Sequence, residues 1–280
     1  MSISLPSYTR REMPLLGRGH RIWAIITTGL RREFRRPAAL VVIGLGVAST
    51  MIGAIVTLLF ASIFAPGQAL DRSFFYTAAA NPGMLFFVTL IAAVIGSGLV
   101  ADDLNSMAFT MYLSRPITHA DYLIAKAVIL APLIAMIAIL PVFLSALVAG
   151  FLNLVTWNVA LEAMAVSIPV GVLLIAFYTS LSLFLSSLTR RKGYAAAGVF
   201  ALTFGLTVPA EILAMPGAIG NSSILYLSPW EDFLAVARAA FGAPVGSIDW
   251  PGALAILLGV TILAAVVTVV RIKAVEVISG

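Results

Sequence analysis

Uncharged apolar stretches long enough to cross a lipid bilayer recur along the whole of this sequence. A helix crosses the hydrocarbon core with about 20 apolar residues, because each residue rises about 1.5 Å and no water is present there to bond the backbone. The first stretch extends from Ala38 to Ala65. The other predicted spans lie at 83–101, within 127–161 with breaks at Asn153 and at 157–158, at 163–189, at 193–210 and at 250–270. The pattern predicts an all-α membrane protein with six transmembrane helices.

Composition excludes a soluble globular domain. Hydrophobic residues make up 61% of the chain and charged residues 10%, whereas soluble domains average about 45–50% and about 25%. We expect one transmembrane domain over residues 1–280, with a cytoplasmic tail and helix at 1–37, the six-span bundle at 38–270 and a second cytoplasmic tail at 271–280. The first twenty residues contain no continuous apolar stretch, so no cleavable signal peptide is predicted. The chain has no cysteine, which excludes disulfides and thiolate sites.

Basic residues predict the orientation of the bundle. With the six predicted spans, 15 of the 17 Lys and Arg residues fall on the side that holds both termini. Only Arg72 and Arg238 fall on the other side. Because Lys and Arg are retained on the cytoplasmic side, both termini are predicted to be cytoplasmic, in a multi-pass protein of the inner (plasma) membrane. A basic stretch beside an apolar span is an orientation signal, so nucleic acid is not expected as a partner.

An amphipathic helix is predicted before the first span. Its apolar positions recur every four residues, at Ile22, Ile26, Leu30 and Phe34, and the same segment carries Arg31 and Arg32. We interpret it as a helix that lies on membrane lipids along the cytoplasmic leaflet. The alternative is a solvated basic segment that serves only as an orientation signal. Pro37 suits the first turn of a new helix in another direction.

The connection between the second and third spans, residues 101–126, is the most informative stretch. Leu104, Ala108, Met111 and Tyr112 share one face of a predicted short helix, with Asp102 and Asp103 near its N-terminus. Pro116 is expected to end this helix. Thr118 is expected to cap the next helix together with Asp121. These signals predict a defined elbow of two helices at this connection.

A second short helix is predicted between the fifth and sixth spans, on the outer side. The stretch Ser228 to Glu231 reads as a capping box with proline at the first helical position, and Gly242 is a plausible stop. Trp230, Phe233, Leu234, Ala237 and Phe241 follow helical spacing, so one face is apolar and Asp232 and Arg238 are expected to point elsewhere. Too short to span, this helix is predicted to lie in the outer interface or to dip back into the bundle.

Motifs for catalysis are missing. No GK dipeptide occurs, so a phosphate-binding loop is excluded, and neither HExxH nor GxSxG is present. His20 and His119 flank predicted cytoplasmic helices, where solvated contacts are expected and not metal ligation. No enzymatic activity, cofactor or metal is therefore predicted for this chain.

Residues 101–126 resemble the permease subunits of type-2 ABC exporters. In that family an acidic pair, a short helix, a proline segment and a leucine-rich helix ending in lysine follow the second span. The corresponding elements here are Asp102 with Asp103, then 104–113, 114–118 and 122–126. The sequence departs from the family pattern at 106–109, where Phe109 replaces an acidic residue, and at Ala125, which replaces a glycine. The order of an elbow helix, six spans and an outer re-entrant helical module between spans five and six is also similar.

The resemblance implies a coupling helix that sits in a cleft of a separate ABC ATP-binding subunit. The residues implied at that contact are Asp102, Asp103, Leu104, Met107, Ala108, Met111, Tyr112 and Arg115. It further implies two permeases, expected as a homodimer, with two ATPase subunits that hold ATP and Mg²⁺. The outer gate helix would use Trp230, Phe233, Leu234 and Phe241.

Small residues in the first and fifth spans permit close helix contact, either with a second permease or within one subunit. They are Gly46, Ser49, Gly53, Gly193, Ala197 and Gly198.

Two other classes of protein stay open. A secondary transporter or channel usually places ionisable residues at mid-membrane, and none is predicted there in this chain. A scaffold that transmits ATPase motion to an outer-side partner would use the same coupling helix and the apolar outer helix.

Overall fold

The structure is a computed structural model, and it describes residues 17–64, 70–106 and 118–279. It is 85% helical, and the described residues contain no strand. Six helices are long and apolar enough to cross a membrane. They are span 1 (Pro37–Phe64), span 2 (Pro82–Asn105), span 3 (His119–Phe151), span 4 (Trp157–Leu188), span 5 (Lys192–Ala214) and span 6 (Trp250–Ala274). The predicted fold class, an all-α membrane protein with six transmembrane helices, is therefore confirmed.

Shorter elements complete the chain. An N-terminal helix, Arg18–Glu33, precedes span 1, and the helix of span 6 continues to Ser279. The connection between spans 1 and 2 contains a 3₁₀ turn at Arg72–Phe75 and a helical turn at Tyr76–Ala79. The connection between spans 5 and 6 contains a 3₁₀ turn at Ser222–Leu227 and the helix Pro229–Phe241, hereafter the 229–241 helix. The end of the bundle with Arg36, Asn105 and Lys192 is called the basic end, and the end with the 229–241 helix the opposite end.

Local chemistry explains where the spans begin and end. Span 2 starts at Pro82, and the Asn81 side chain caps it by accepting a hydrogen bond from the Gly83 amide at 2.7 Å. Span 3 ends just before Asn153, whose φ of 54° lies in the left-handed region that asparagine tolerates. Span 1 starts at Pro37, as predicted.

Span 4 lies at the centre of the bundle and packs against spans 2, 3, 5 and 6. Span 2 is enclosed most completely, since 78% of its most apolar stretch is buried, against 22% in spans 5 and 6. Spans 5 and 6 therefore present most of their apolar surface to whatever surrounds this chain.

Several helix boundaries differ from the sequence prediction. Span 2 continues to Asn105 and not Ala101, and spans 3 and 4 begin at His119 and Trp157, about six to eight residues before the predicted starts. At the ends of spans 2 and 3, Asp103 is paired with Lys126 and Asp121 is paired with Arg18, so helix continues there beyond the uncharged stretches. Asp103 and Lys126, predicted to lie outside the spans, consequently belong to spans 2 and 3.

The N-terminal helix uses part of its apolar stripe inside the protein. Ile26 is buried, and Gly29 lies so close to span 3 that a Cβ there would stand 2.3 Å from Ile129 Cδ1. Trp23 is 62% exposed and Phe34 is 37% exposed. The face around Ile26 therefore packs on the protein, and the position of this helix along the cytoplasmic leaflet stays a prediction. Along the predicted stripe, Ile22 is half-buried, Ile26 is buried and Leu30 packs on the core. Phe34 and the two basic residues, Arg31 and Arg32, are exposed.

Candidate coupling and gating site

A buried ion pair joins spans 2 and 3 at the basic end. Lys126 Nζ lies 2.6 Å from Asp103 Oδ2, and both side chains are almost fully enclosed. The Tyr122 hydroxyl, one helical turn before Lys126, donates a hydrogen bond of 2.7 Å to the same carboxylate oxygen. A carboxylate at the C-terminal end of a helix is opposed by the helix dipole, and the lysine offsets that cost. This cluster brings together the two helices that flank residues 107–117.

The start of span 3 is anchored a second time. Thr118 and Asp121 form the predicted capping box. Arg18 of the N-terminal helix donates two hydrogen bonds to the Asp121 carboxylate, at 2.8 and 2.9 Å. A bidentate arginine–carboxylate pair fixes orientation as well as distance. The N-terminal helix, span 3 and span 2 are thus linked directly beside residues 107–117.

The predicted coupling residues fall into two groups. Asp102, Asp103 and Leu104 are described, and they lie in the last turn and a half of span 2 and not at the start of a separate short helix. The predicted short helix lies largely outside the described residues, so its position relative to the acidic pair stays a prediction. Asp102 is half-buried, and Leu104 packs against the core. The remaining predicted contacts lie outside the described residues: Met107, Ala108, Met111, Tyr112 and Arg115.

Span 2 contains a π-helical segment, Ala92–Gly96, midway between its two α-helical parts. Such a segment disturbs the regular backbone ladder, and here span 4 supplies partners. The Ser186 hydroxyl donates to the Ser97 carbonyl at 2.6 Å and accepts from the Val100 and Ala101 amides at 3.0 and 2.8 Å. π-segments inside helices are frequent at functional sites. The serines of span 4 show no sequence motif, so this feature was missed.

The 229–241 helix dips into the bundle. It packs on spans 4, 5 and 6, and Phe233 and Phe241 are buried. Ser228 caps it by accepting from the Glu231 amide at 3.2 Å, and Gly242 ends it with a φ of 73°. The Ser228 amide donates to the Leu225 carbonyl, so the predicted reciprocal half of the capping box is not formed. The predicted helix and its ends are otherwise confirmed.

Hydrogen bonds connect this helix to the middle of the bundle. Trp230 Nε1 donates to the Tyr178 hydroxyl of span 4 at 3.2 Å, and that hydroxyl also bonds Thr89 of span 2 at 2.8 Å. The Trp230 ring meets Phe204 of span 5 edge to face, at 4.3 Å between centroids. Trp230 therefore contacts spans 4 and 5 directly and is connected to span 2 through the Tyr178 hydroxyl. Leu234 packs half-buried against the core.

Asp232 corrects the sequence prediction for this helix, because its side chain does not point away from the protein. It is 1% exposed, and its Oδ1 atom has no hydrogen-bond partner among the described residues. Burial, together with the neighbouring Glu231 charge, raises the pKa of Asp232 to about 7. Asp232 lies outside the six spans, so it is a buried acid on the opposite end that is partly protonated near neutral pH.

The small residues of spans 1 and 5 have different surroundings. A Cβ at Gly46 would meet Phe87 Cβ at 2.9 Å, and one at Gly53 would meet Asn81 Nδ2 at 2.8 Å, so span 1 uses its glycines against span 2. Gly198 likewise faces Leu185 of span 4 at 3.2 Å. By contrast, one face of span 5 is exposed and lined by small residues four apart, and we call it the span 5 stripe: Gly193, Ala197, Ala201 and Gly205.

Within the part of the chain that the structure describes, no group of three or more His, Asp or Glu residues lies close enough to hold an ion. The features of the site are helices joined by ion pairs at the basic end and the buried 229–241 helix at the opposite end.

Comparison with known protein families gives a match over most of the chain. The sequence model of a family described as ABC-2 family transporter protein matches residues 40–277, nearly the whole chain. A search of curated proteins finds no match.

Proposed function

The chain belongs to the ABC-2 family of transporter proteins, and we propose that it is the permease subunit of an ATP-driven exporter that is coupled to a separate ATP-binding subunit. A multi-pass membrane protein of this family needs such a partner, since its own sequence lacks a phosphate-binding loop. In this proposal ATP and Mg²⁺ bind to the partner, and this chain has no enzymatic activity of its own.

The observation that carries the proposal is the anchoring on both sides of residues 107–117. On one side Asp103 pairs with Lys126 at 2.6 Å, and on the other Arg18 holds Asp121. A segment pushed by a partner moves spans only if its flanks are tied to them. The Asp103–Lys126 pair and the Arg18–Asp121 pair supply that rigid connection, so Asp103 acts as a positioning residue and not as a surface contact.

A series of contacts connects the basic end of span 2 to the 229–241 helix at the opposite end. The end of span 2 that carries Asp103 follows the π-segment, and Ser186 of span 4 bonds the main chain directly after that segment. Span 4 in turn contacts the 229–241 helix through Tyr178. We propose that the partner's movement tilts span 2 about the π-segment and shifts the 229–241 helix, which acts as the outer gate.

The proposed assembly contains two copies of this chain and two ATP-binding subunits. Small residues four apart let two membrane helices approach closely. The span 5 stripe is exposed here, which supports a homodimer contact along span 5. Gly46 and Gly53 of span 1 already face span 2 inside the subunit, so in this proposal they do not contribute to the dimer contact.

Orientation follows from the basic residues. The proposal places the basic end in the cytoplasm and the 229–241 helix outside, in the inner (plasma) membrane. Because the chain has no cysteine, single cysteines at residues 69 and 246 are clean probes. Labelling of both by an impermeant maleimide from outside is expected, and labelling from the cytoplasm alone would contradict the topology.

Coupling to the ATP-binding subunit is tested with charge substitutions in residues 107–117. We expect Met107→Glu and Tyr112→Glu to release a co-expressed ABC ATP-binding subunit of the source organism, while insertion in the membrane is unchanged. The matched control is Tyr194→Glu, at an exposed position of the same end. Undiminished co-purification of the ATP-binding subunit with both variants would contradict the coupling assignment.

Transport direction needs the reconstituted complex. In proteoliposomes we expect ATP-dependent movement away from the side that holds the ATP-binding subunit. Movement that follows an ion gradient without ATP would instead indicate a secondary transporter.

A further inference from the structure

A carboxylic acid lies on the buried side of the 229–241 helix. The Asp232 side chain is 1% exposed, and its Oδ1 atom has no hydrogen-bond partner among the described residues. The ion pairs between described residues do not include Asp232. Burying an ionised carboxylate without a partner costs far more than burying the neutral acid. The buried position of the helix therefore favours the protonated form of Asp232.

The acidic and phenolic groups around Asp232 add no positive charge. Glu231, the preceding residue of the helix, carries a negative charge that disfavours ionisation of Asp232. Glu211 of span 5 acts on Glu231 in the same sense. Tyr226, in the turn before the helix, is within electrostatic range of Asp232, and its hydroxyl donates to the Asp249 carboxylate just before span 6. Ionisation of Asp232 thus adds a negative charge to a region that already holds carboxylates.

The basic side chains at the opposite end lie against other groups. Arg238 follows Asp232 by six residues, about 9 Å along the helix axis at 1.5 Å per residue. Its guanidinium lies 5.6 Å from the centre of the Tyr76 ring. Arg72, in the connection between spans 1 and 2, lies beside Gly242 at the other end of the helix. Neither arginine therefore compensates an ionised Asp232.

The other contacts that hold the helix do not change with pH near neutrality. Phe233 and Phe241 are buried, and Trp230 Nε1 donates to the Tyr178 hydroxyl of span 4 at 3.2 Å. Phenylalanine and tryptophan rings do not titrate, and a tyrosine hydroxyl ordinarily stays neutral up to about pH 9. Among the described residues on the buried side of this helix, Asp232 is the one whose ionisation opposes burial.

We propose that the protonation of Asp232 controls the position of the 229–241 helix. With the acid neutral, the helix stays buried against spans 4, 5 and 6. When Asp232 ionises, the helix is displaced toward the surface until the carboxylate reaches water. The helix is the one proposed above as the outer gate, but this switch needs neither export nor the ATP-binding subunit, so the two proposals can fail separately.

The direction of the pH effect follows from the two positions of the acid. Burial raises the pKa of Asp232 to about 7, against an ordinary value of 3.8. The displaced helix therefore gains on the buried one as pH rises from about 4 to 7, by up to about tenfold per pH unit, and the gain levels off above 7. Between about pH 5.5 and 7.5 the ratio of displaced to buried helix is expected to rise about twentyfold.

Cysteine accessibility in the purified full chain, which has no cysteine of its own, measures the position of the helix. Ala237→Cys puts a thiol on the buried side, where Ala237 is 0% exposed, and Ala239→Cys puts one on the exposed side of the same helix. Each reacts with a water-soluble methanethiosulfonate reagent at about pH 5.5 and 7.5, and the ratio of the two rates corrects for thiol ionisation. We expect this ratio to rise by at least about tenfold. Ala235→Cys, at a residue that is 4% exposed, takes the place of Ala237→Cys if that variant does not fold.

Further substitutions assign the effect to Asp232. In Asp232→Asn the rate ratio is expected to stay constant between the two pH values, because an amide does not ionise. In Glu231→Gln the rise is expected to remain and to level off at a lower pH, because one negative charge beside Asp232 is gone. Ala146→Cys, at a residue of span 3 that is 0% exposed, is expected to stay unreactive at both pH values.

Three results would overturn the proposal. One is a rate ratio that does not change between the two pH values in protein that carries Asp232. Another is the same rise in Asp232→Asn, which would assign the pH effect to a different group. The third is a parallel rise in the reaction of Ala146→Cys, which would show that the whole bundle opens and not this helix alone.

Discussion

At the residue scale, the buried pair of Asp103 and Lys126 shows how charge is used inside this bundle. Each side chain lies within a span, yet the 2.6 Å contact and the Tyr122 hydroxyl offset the loss of solvent. Buried pairs are weak evidence for stability, but breaking one is costly because the other charge is left in an apolar environment. The Asp103–Lys126 pair instead fixes geometry, since it holds spans 2 and 3 together beside residues 107–117.

Lys126→Met is expected to destabilise the protein by about 3–5 kcal/mol, because the Asp103 carboxylate then keeps only neutral partners. The double variant Lys126→Met with Asp103→Asn is expected to recover most of that loss. Thermal melting in detergent measures both. Equal melting temperatures for the single and double variants would show that the pair is not coupled.

Asp232 predicts a pH dependence of stability. Its pKa of about 7 in the fold lies above the ordinary value of 3.8, so the folded state holds a proton that the unfolded state has lost. Stability is therefore expected to fall as pH rises from about 4 to 7 and to level off above 7. Asp232→Asn should remove this slope and raise the melting temperature at pH 8.

The control for Asp232 is Asp249→Asn, at an exposed carboxylate whose pKa is lowered by hydrogen bonds from Tyr226 and the Gly252 amide. It is expected to retain the slope of the parent between pH 5 and 7. A slope that is the same in the parent and in Asp232→Asn would assign the pH dependence to another group.

At the scale of the element, span 2 combines the deepest burial with the least regular backbone. Its π-segment is tolerated because Ser186 bonds three main-chain groups at its exit. The same helix starts at Asn81 near the opposite end and carries Asp103 at the basic end. The proposed transmission would use the Ser186 bonds as the point about which the two halves of this helix turn.

Ser186→Ala is expected to destabilise the protein by about 1–3 kcal/mol, because buried main-chain groups lose their partner. Hydrogen exchange should speed up at the amides of Val100 and Ala101. The control is Ser187→Ala, since that hydroxyl bonds only the Phe184 carbonyl of its own helix at 2.7 Å. Unchanged hydrogen exchange at both amides in Ser186→Ala would show that Ser186 does not hold span 2 at the end of the π-segment.

At the scale of the whole molecule, the distribution of exposed apolar surface indicates how copies meet. Spans 5 and 6 are the least buried; span 5 carries four exposed small residues at successive four-residue steps, whereas span 6 carries one exposed pair of this kind, Ala255 and Gly259. The adjoining aromatic residues Phe86, Phe204 and Trp230 contact one another edge to face. A dimer formed along the span 5 stripe would bring two such aromatic clusters to its centre.

Ala201→Leu is expected to weaken self-association by about 1–3 kcal/mol, because the added side chain prevents close approach of the two helices. Ala165→Leu, at an exposed alanine of span 4 whose neighbours four residues away are Leu161 and Pro169, is the control. Energy transfer between labelled copies in liposomes measures the dimer fraction. Equal dimer fractions in the two variants would show that the two copies do not meet along the span 5 stripe.

The residues themselves determined the six spans, the caps at Thr118 and Ser228, the stop at Gly242 and the membrane class. These depend on the length of uncharged runs and on interactions over three or four residues, which are local in the sequence. The stretch 101–126 was also enough to indicate the family.

Only the tertiary structure decided which neighbours complete each helix. It paired Asp103 with Lys126, placed Ser186 on the π-segment, buried Asp232 and turned Ile26 toward span 3 rather than lipid. No local pattern predicts these contacts, because the partner of a side chain depends on which helices become neighbours, and a continuous apolar helix has no face that the sequence marks as interior. For the same reason, the exposed face of span 5 became distinct from the glycines of span 1 only once the bundle was assembled.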